Sequence, residues 1–209
     1  LVWRVSAGEF RSNAYLVIAD QCTILVDGGL DVEFVEALIK RKAGVVDAVL
    51  LTHGHFDHIA SAAMCQQKFG ARVILHAQDL STMKSANFLL MACGLKSRIT
   101  IPEPELISEN LNVSINGLQV EFHHVPGHTP GSCLIEVGDF LFSGDTIYAS
   151  GIGKTGFRSE NFDQIRDSLI EKKEIYTRNK LICPGHGRCI NGTDLFRENK
   201  KLVEFLSNG

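Results

Sequence analysis

No apolar run in this chain approaches the roughly 20 residues that a membrane-spanning helix needs. An excess of positive charge is also missing. Lys and Arg number 21 against 24 Asp and Glu, and the formal net charge of −3 leaves no electrostatic footprint for nucleic acid or an anionic membrane. The first residues carry no signal-peptide pattern, so the expectation is a soluble cytoplasmic protein. Six cysteines (Cys22, Cys65, Cys93, Cys133, Cys183, Cys189) form no C-x-x-C pair and no regular framework, which argues against a disulfide scaffold. Most sit in apolar contexts, as Cys133 does in SCLIEV, and read as small buried hydrophobes. No close internal repeat is visible. With 209 residues, of which 44% are apolar, the chain has material for a substantial core, and one domain spanning 1–209 is expected.

What the chain does have is histidine and aspartate in dense, turn-bounded clusters. The run HGHFDH places His53, His55, Asp57 and His58 within six residues. Such density suits a pair of divalent ions better than one structural zinc, which usually recruits thiolates. The preceding Val46–Thr52 reads as a short buried strand and the following Ile59–Phe69 as a helix, so the cluster lies on a strand-to-helix turn. If the backbone stays extended through His53–His55, period-two alternation points both rings the same way. Asp57 and His58 then fall where the helix begins.

Three further candidates lie downstream: His128 in VPGHTPGS, Asp145 in LFSGDT and His186 in ICPGHG. Each follows or ends an apolar, strand-like run. The Pro-Gly pairs before His128 and His186 indicate sharp turns that leave the ring projecting from a fixed backbone.

The ordered set DGG (27–29), HGHFDH, PGHT, GDT and PGHG resembles the metallo-β-lactamase superfamily, and within it the glyoxalase II-like thioester hydrolases. That resemblance covers nearly the whole chain and implies an α/β fold, the four-layer αββα sandwich. It further implies two divalent ions, zinc first, with iron or manganese as alternatives. His53, His55 and His128 would hold one ion; Asp57, His58 and His186 would hold the other, with Asp145 bridging. Ions so bridged lie about 3.5–4 Å apart, and a water between them ionises near neutral pH. The implied reaction is hydrolysis of a small thioester such as S-lactoylglutathione by attack of the bridging hydroxide. Asp57 is also a candidate for guiding the proton of the attacking water, and Asp27 in the DGG turn for orienting a ligating imidazole.

After Asp145, the run TIYASGIGKTGF (146–157) resembles the glyoxalase II segment beside the thiol carrier. By that match Lys154 pairs with a substrate carboxylate or phosphate; the competing reading is a solvated surface lysine. The 23 residues after His186 suffice for one helix, where a full glyoxalase II has a helical domain with basic glutathione contacts. A short member of the group is therefore expected. Lactonase chemistry on an ester and mononuclear iron persulfide dioxygenase chemistry are the alternatives within the superfamily, and a non-catalytic metal-bound partner is the alternative outside enzymes. A small-molecule substrate is expected, with no nucleic acid and no membrane; the oligomeric state is not readable.

Elsewhere the pattern predicts strands at Leu1–Val5, Asn13–Ala19, Cys22–Asp27, Arg72–His76, Gln119–Val125, Cys133–Val137, Phe140–Ser143 and Lys180–Cys183. Helices are expected over Leu30–Lys42, Phe162–Lys172 and Thr193–Leu206. The stretch 77–110 reads as less regular. Its apolar centre SANFLLMAC (85–93) is either an ordinary buried helix or a flap or contact surface. His76 and His124 read as satisfied polar groups near the site, not ligands, and His123 falls on the opposite face from His124.

Overall fold

Two six-stranded sheets form the centre of the computed structural model, which describes residues 1–108, 111–154, 156 and 160–207. The first runs in chain order: β1 (Val2–Ala7), β2 (Ser12–Ile18), β3 (Thr23–Val26), β4 (Ala48–Leu50), β5 (Arg72–His76) and β6 (Glu105–Ile107). β1 to β3 are antiparallel, and β3 to β6 parallel. The second comprises β7 (Leu111–Ile115), β8 (Leu118–His124), β9 (Cys133–Val137), β10 (Phe140–Gly144), β11 (Leu181–Pro184) and β12 (Ile190–Asn191), again in chain order across the sheet. Only β10 and β11 pair in parallel there.

Side-chain alternation explains why both sheets are covered on both faces. In β2 to β5, Tyr15, Val17, Ile24, Val26, Ala48, Leu50 and Ile74 point one way, into a cluster shared with Phe122, Ile135 and Phe142 of the second sheet. The intervening Leu16, Leu25, Val49, Val73 and Leu75 point the other way, onto Val35 and Ile39 of the helix Val32–Lys42 and onto Ile59 and Cys65. On the far side of the second sheet, Leu134, Leu141 and Ile182 meet Ile165, Leu169, Tyr176, Leu195 and Leu202. A strand buried on both faces reads as a continuous apolar run, as TILV of β3 does. The result is four layers: helices, sheet, sheet, helices.

Several expected elements differ in detail. The helix expected over Ile59–Phe69 is two, Phe56–Ile59 and Ala62–Phe69. The backbone N–H of Gly28 donates to the carbonyl of His58, drawing the DGG turn against the helix where the break falls. A side chain at Gly28 would collide there, 2.9 Å from the nitrogen of Ser61. The helix expected over Thr193–Leu206 is interrupted at Asn199 (φ −92°, ψ 76°), giving Leu195–Glu198 and Lys200–Ser207. Asn199 is fully buried; its amide donates to the carbonyls of Tyr148 and Gly151, and its oxygen caps Leu202. The stretch 77–110 holds β6 and a helix at Ala86–Ala92. That helix packs Ala86 and Leu90 on the first sheet's outer layer, lies against the short helix Phe56–Ile59, and exposes Phe88 and Met91.

Candidate metal centre

Every turn that carries a predicted site residue opens at one edge of the sandwich. Two residues beyond β4, His53 and His55 follow Thr52; Asp57 and His58 begin the short helix; His128 follows β8, Asp145 follows β10 and His186 follows β11. Each turn leaves the end of a central strand, and these strands lie near one another in the two facing sheets.

The seven side chains converge. His53 Nε2 is 3.1 Å from His55 Nδ1, which is 3.2 Å from His128 Nε2. Asp145 reaches both sides of the cluster: Oδ1 lies 3.4 Å from His58 Nε2, and Oδ2 lies 3.4 Å from His186 Nε2 and 3.8 Å from His128 Nε2. Asp57 Oδ2 is 3.6 Å from His58 Nε2 and 3.4 Å from His186 Nε2. Among the described residues, three overlapping groups have ligand atoms close enough to share an ion: His53–His55–His128, His53–His58–Asp145 and Asp57–His58–His186.

Electrostatics divides the imidazoles. Burial, reinforced by neighbouring rings, holds His53 far below its ordinary value and His55 at about 3, so both are neutral with a lone pair to offer. Burial acts the same way on His58, but the carboxylates of Asp145, Asp57 and Asp27 outweigh it and raise that ring well above its ordinary value. His186 rises to about 9: burial opposes charge, and hydrogen bonding to Asp145 and Asp57 overrides it. Burial pushes Asp145 upward, but the charge of His58 and hydrogen bonding to His186 together outweigh it and hold the carboxyl well below the usual carboxylate range.

A resident cation fits this donor set on two observations. His58 Nε2 and Asp145 Oδ1 are buried and make no hydrogen bond, a costly state for polar atoms in a protein interior that a bound cation relieves. The orientation of His58 is fixed from behind, since Nδ1 bonds Asp27 Oδ2 at 2.9 Å and leaves Nε2 facing Asp57 and Asp145. Imidazole and carboxylate donors without thiolates accept zinc, iron or manganese.

The centre opens on one side. The His186 side chain is 28% exposed, whereas those of Asp57 and Asp145 are under 10% and those of His58 and His128 are fully buried. Tyr148 stands at that side, its ring 6.0 Å from that of His186, and also lines an open cleft of about 820 Å³. Lys154, Arg166 and Lys201 line the same cleft, with Glu204 as its carboxylate. Lys154 is exposed, with its ammonium 5.0 Å from the Phe162 ring centroid. Of the run 146–157, Thr155 and Phe157 lie outside the described residues.

Sequence reasoning passed over two carboxylates. Asp79 is completely buried and bonds the turns carrying His53–His55 and His128. Glu160 places Oε1 3.7 Å from His128 Nδ1. Neither belongs to a histidine-bearing motif, so spacing held no signal for them. His76, His123 and His124 lie outside the ligand groups as expected, but His76 is not the satisfied polar group expected, since its Nε2 is buried without a hydrogen bond. His76 and His124 stack on each other at 3.9 Å, His123 faces Glu136, and Cys183 and Cys189 face each other with sulfurs 3.8 Å apart, outside the ligand groups.

Comparison with known proteins is consistent with this geometry. The sequence pattern of the Metallo-beta-lactamase superfamily matches residues 7–186. The Bacillus subtilis protein named "Probable metallo-hydrolase YqgX" is 30% identical over 88% of this chain and 89% of its own length. "Hydroxyacylglutathione hydrolase GloC" of Haemophilus influenzae is 27% identical over 85% of this chain and 86% of its own. Among solved structures, BLEG-1 B3 metallo-beta-lactamase superposes with a TM-score of 0.83 at 26% identity, covering 97% of this chain and 100% of that one. TTHA1623 in a di-iron-bound form gives 0.82 at 29% identity, covering 95% and 98%.

Proposed function

The chain belongs to the metallo-beta-lactamase superfamily, and on that premise we propose that this metal-dependent hydrolase cleaves a small anionic thioester of the S-lactoylglutathione type. The observation that carries the reading is the position of Asp145, whose two oxygens face His58 on one side and His186 and His128 on the other. In this reading His53, His55 and His128 hold one ion, Asp57, His58 and His186 hold a second, and Asp145 is shared. Bound there, the ions supply an ionised water as nucleophile and a Lewis acid for the substrate carbonyl.

The chain's own residues do the rest. His53 and His55, kept neutral by burial, offer lone pairs without first losing a proton. Asp57, 3.4 Å from the partly exposed ring of His186, is placed to guide the proton of the attacking water. Tyr148 lies beside His186 and also lines the cleft, and Lys154 and Lys201 there suit a carboxylate or phosphate on the thiol carrier. The relative named as a hydroxyacylglutathione hydrolase supports a thioester over other acyl substrates.

The test is side-by-side hydrolysis of S-lactoylglutathione, an acyl-homoserine lactone, a neutral thioester and a β-lactam, with metal content measured on the same sample. The expected result is preference for the glutathione thioester with about two ions per chain. Preference for the lactone or the β-lactam overturns the substrate class. Oxygen-dependent turnover of a persulfide with one iron overturns hydrolysis itself.

A further inference from the structure

Asp79 lies at the end of a short turn after β5 and has no exposed surface. A buried carboxylate is costly unless hydrogen bonds or a cation compensate it. Among the described residues no cation bonds this one; its partners are three hydrogen-bond donors. Oδ2 accepts from the backbone N–H of Gly54 at 2.7 Å and from the hydroxyl of Thr129 at 2.7 Å, and Oδ1 accepts from the backbone N–H of Gly131 at 2.7 Å.

Those donors are not scattered. Gly54 stands between His53 and His55, and Thr129 immediately follows His128. The first turn leaves the first sheet and the second belongs to the other, so one carboxylate joins the two sheets where their imidazoles meet. The joined rings are the close ones: His55 Nδ1 and His128 Nε2 lie 3.2 Å apart. The packing around the carboxylate is equally specific. A side chain on Gly54 would lie 2.9 Å from the carbonyl oxygen of Asp79, and one on Gly131 would lie 2.7 Å from its nitrogen. Thr129 is held in turn by Ser132, whose hydroxyl lies 2.8 Å from that of Thr129 and accepts from the Thr129 backbone N–H at 3.0 Å.

We propose that Asp79 is the positioning residue that sets the distance between the His53–His55 turn and the His128 turn, and so the affinity of that three-histidine site for its ion. The inference rests on the metal reading given above. Selectivity follows from the wiring. All three hydrogen bonds of Asp79 go to the turns carrying His53, His55 and His128, and none goes to Asp57, His58 or His186. Loss of the carboxylate therefore acts on one site and leaves the other.

The experiment is competitive zinc titration of the metal-stripped, full chain against a chromophoric chelator, with wild type, Asp79→Asn, Thr129→Val and Thr129→Ser. Asparagine keeps the shape but turns an NH2 toward a donor. His55→Ala identifies the binding event that belongs to the three-histidine site. In Asp79→Asn that event weakens by about 10–100-fold, the scale for residues that orient a ligand, while the other event stays at the wild-type constant. Thr129→Val weakens the same event and Thr129→Ser restores it, which keeps the inference testable should the asparagine variant not fold. Two wild-type events in Asp79→Asn overturn the inference alone, as does equal weakening of both with a lowered melting temperature of the stripped protein, the mark of a purely structural brace. A wild-type chain that takes up no divalent ion overturns the metal reading, and this inference with it.

Discussion

Nδ1 of His58 lies 2.9 Å from Oδ2 of Asp27, and both side chains are buried. The other Asp27 oxygen accepts from the backbone N–H of Thr52, and the Thr52 hydroxyl bonds the same carboxylate. Asp27 thus ties β3 to the turn that begins the histidine cluster. Its backbone is left-handed (φ 55°), a conformation that Asp tolerates better than most residues. Replacing Asp27 with alanine releases the His58 ring, and zinc affinity falls by about 10–100-fold. Zinc titration of the stripped variant checks this; a wild-type binding curve sinks the orienting role.

Asp145→Ala removes the carboxylate shared between the two groups. The expected outcome is loss of about one ion per chain and a fall in thioester hydrolysis of at least about 100-fold, since metal polarisation is worth several kcal/mol. Two ions retained with full turnover would show that Asp145 is not shared.

Gly185 precedes His186, and a methyl group there would overlap the Asp145 carboxylate and lie 2.6 Å from His58 Cε1. Gly185→Ala is therefore expected to lose metal while keeping the far-ultraviolet circular dichroism of the wild type. Normal metal content in that variant would contradict the tight approach.

Lys154→Ala and Lys201→Ala each remove an exposed charge from the cleft. An exposed ion pair is worth up to about 1 kcal/mol, so KM for an anionic thioester should rise by roughly two- to five-fold for each, with metal content and kcat unchanged. Equal KM values for charged and neutral thioesters in all variants would return both lysines to the solvated surface.

His76 carries a pH dependence of opposite origin. Burial, with the adjacent ring of His124, lowers it to about 4. Unfolded, it titrates near its ordinary 6.5, so between those values the unfolded chain binds more protons and stability rises with pH. The contribution of His76 is thus full above about pH 6.5 and is lost as pH falls toward 4. His76→Asn retains a side-chain acceptor for the turn, where Nδ1 accepts from Gln78. In the metal-stripped protein it should flatten the fall of the urea midpoint over that window; parallel midpoint curves for the two proteins would exclude the assignment.

The residues that can bind metal, and the order in which they arrive, are legible along the chain. HGHFDH, PGHT, GDT and PGHG are local, because a ligand-bearing turn needs its glycine, proline and histidine within a few positions, and so is the period-two burial of β3 or β9. Tertiary structure decided what those patterns do not encode. Asp79 is adjacent in space to Gly54 and Thr129 but 25 and 50 residues away in sequence, and nothing local distinguishes it from a solvated aspartate. The break at Asn199 exists because its amide is needed by Tyr148 and Gly151, some 50 residues earlier, and the break between Ile59 and Ala62 falls where the Gly28 turn presses in. The cationic cleft is likewise a product of folding: it joins Lys154, Arg166 and Lys201 from separate segments. Hydrogen bonds that cross between sheets are set by the packing of the whole sandwich, and no window of the chain contains both ends of such a bond.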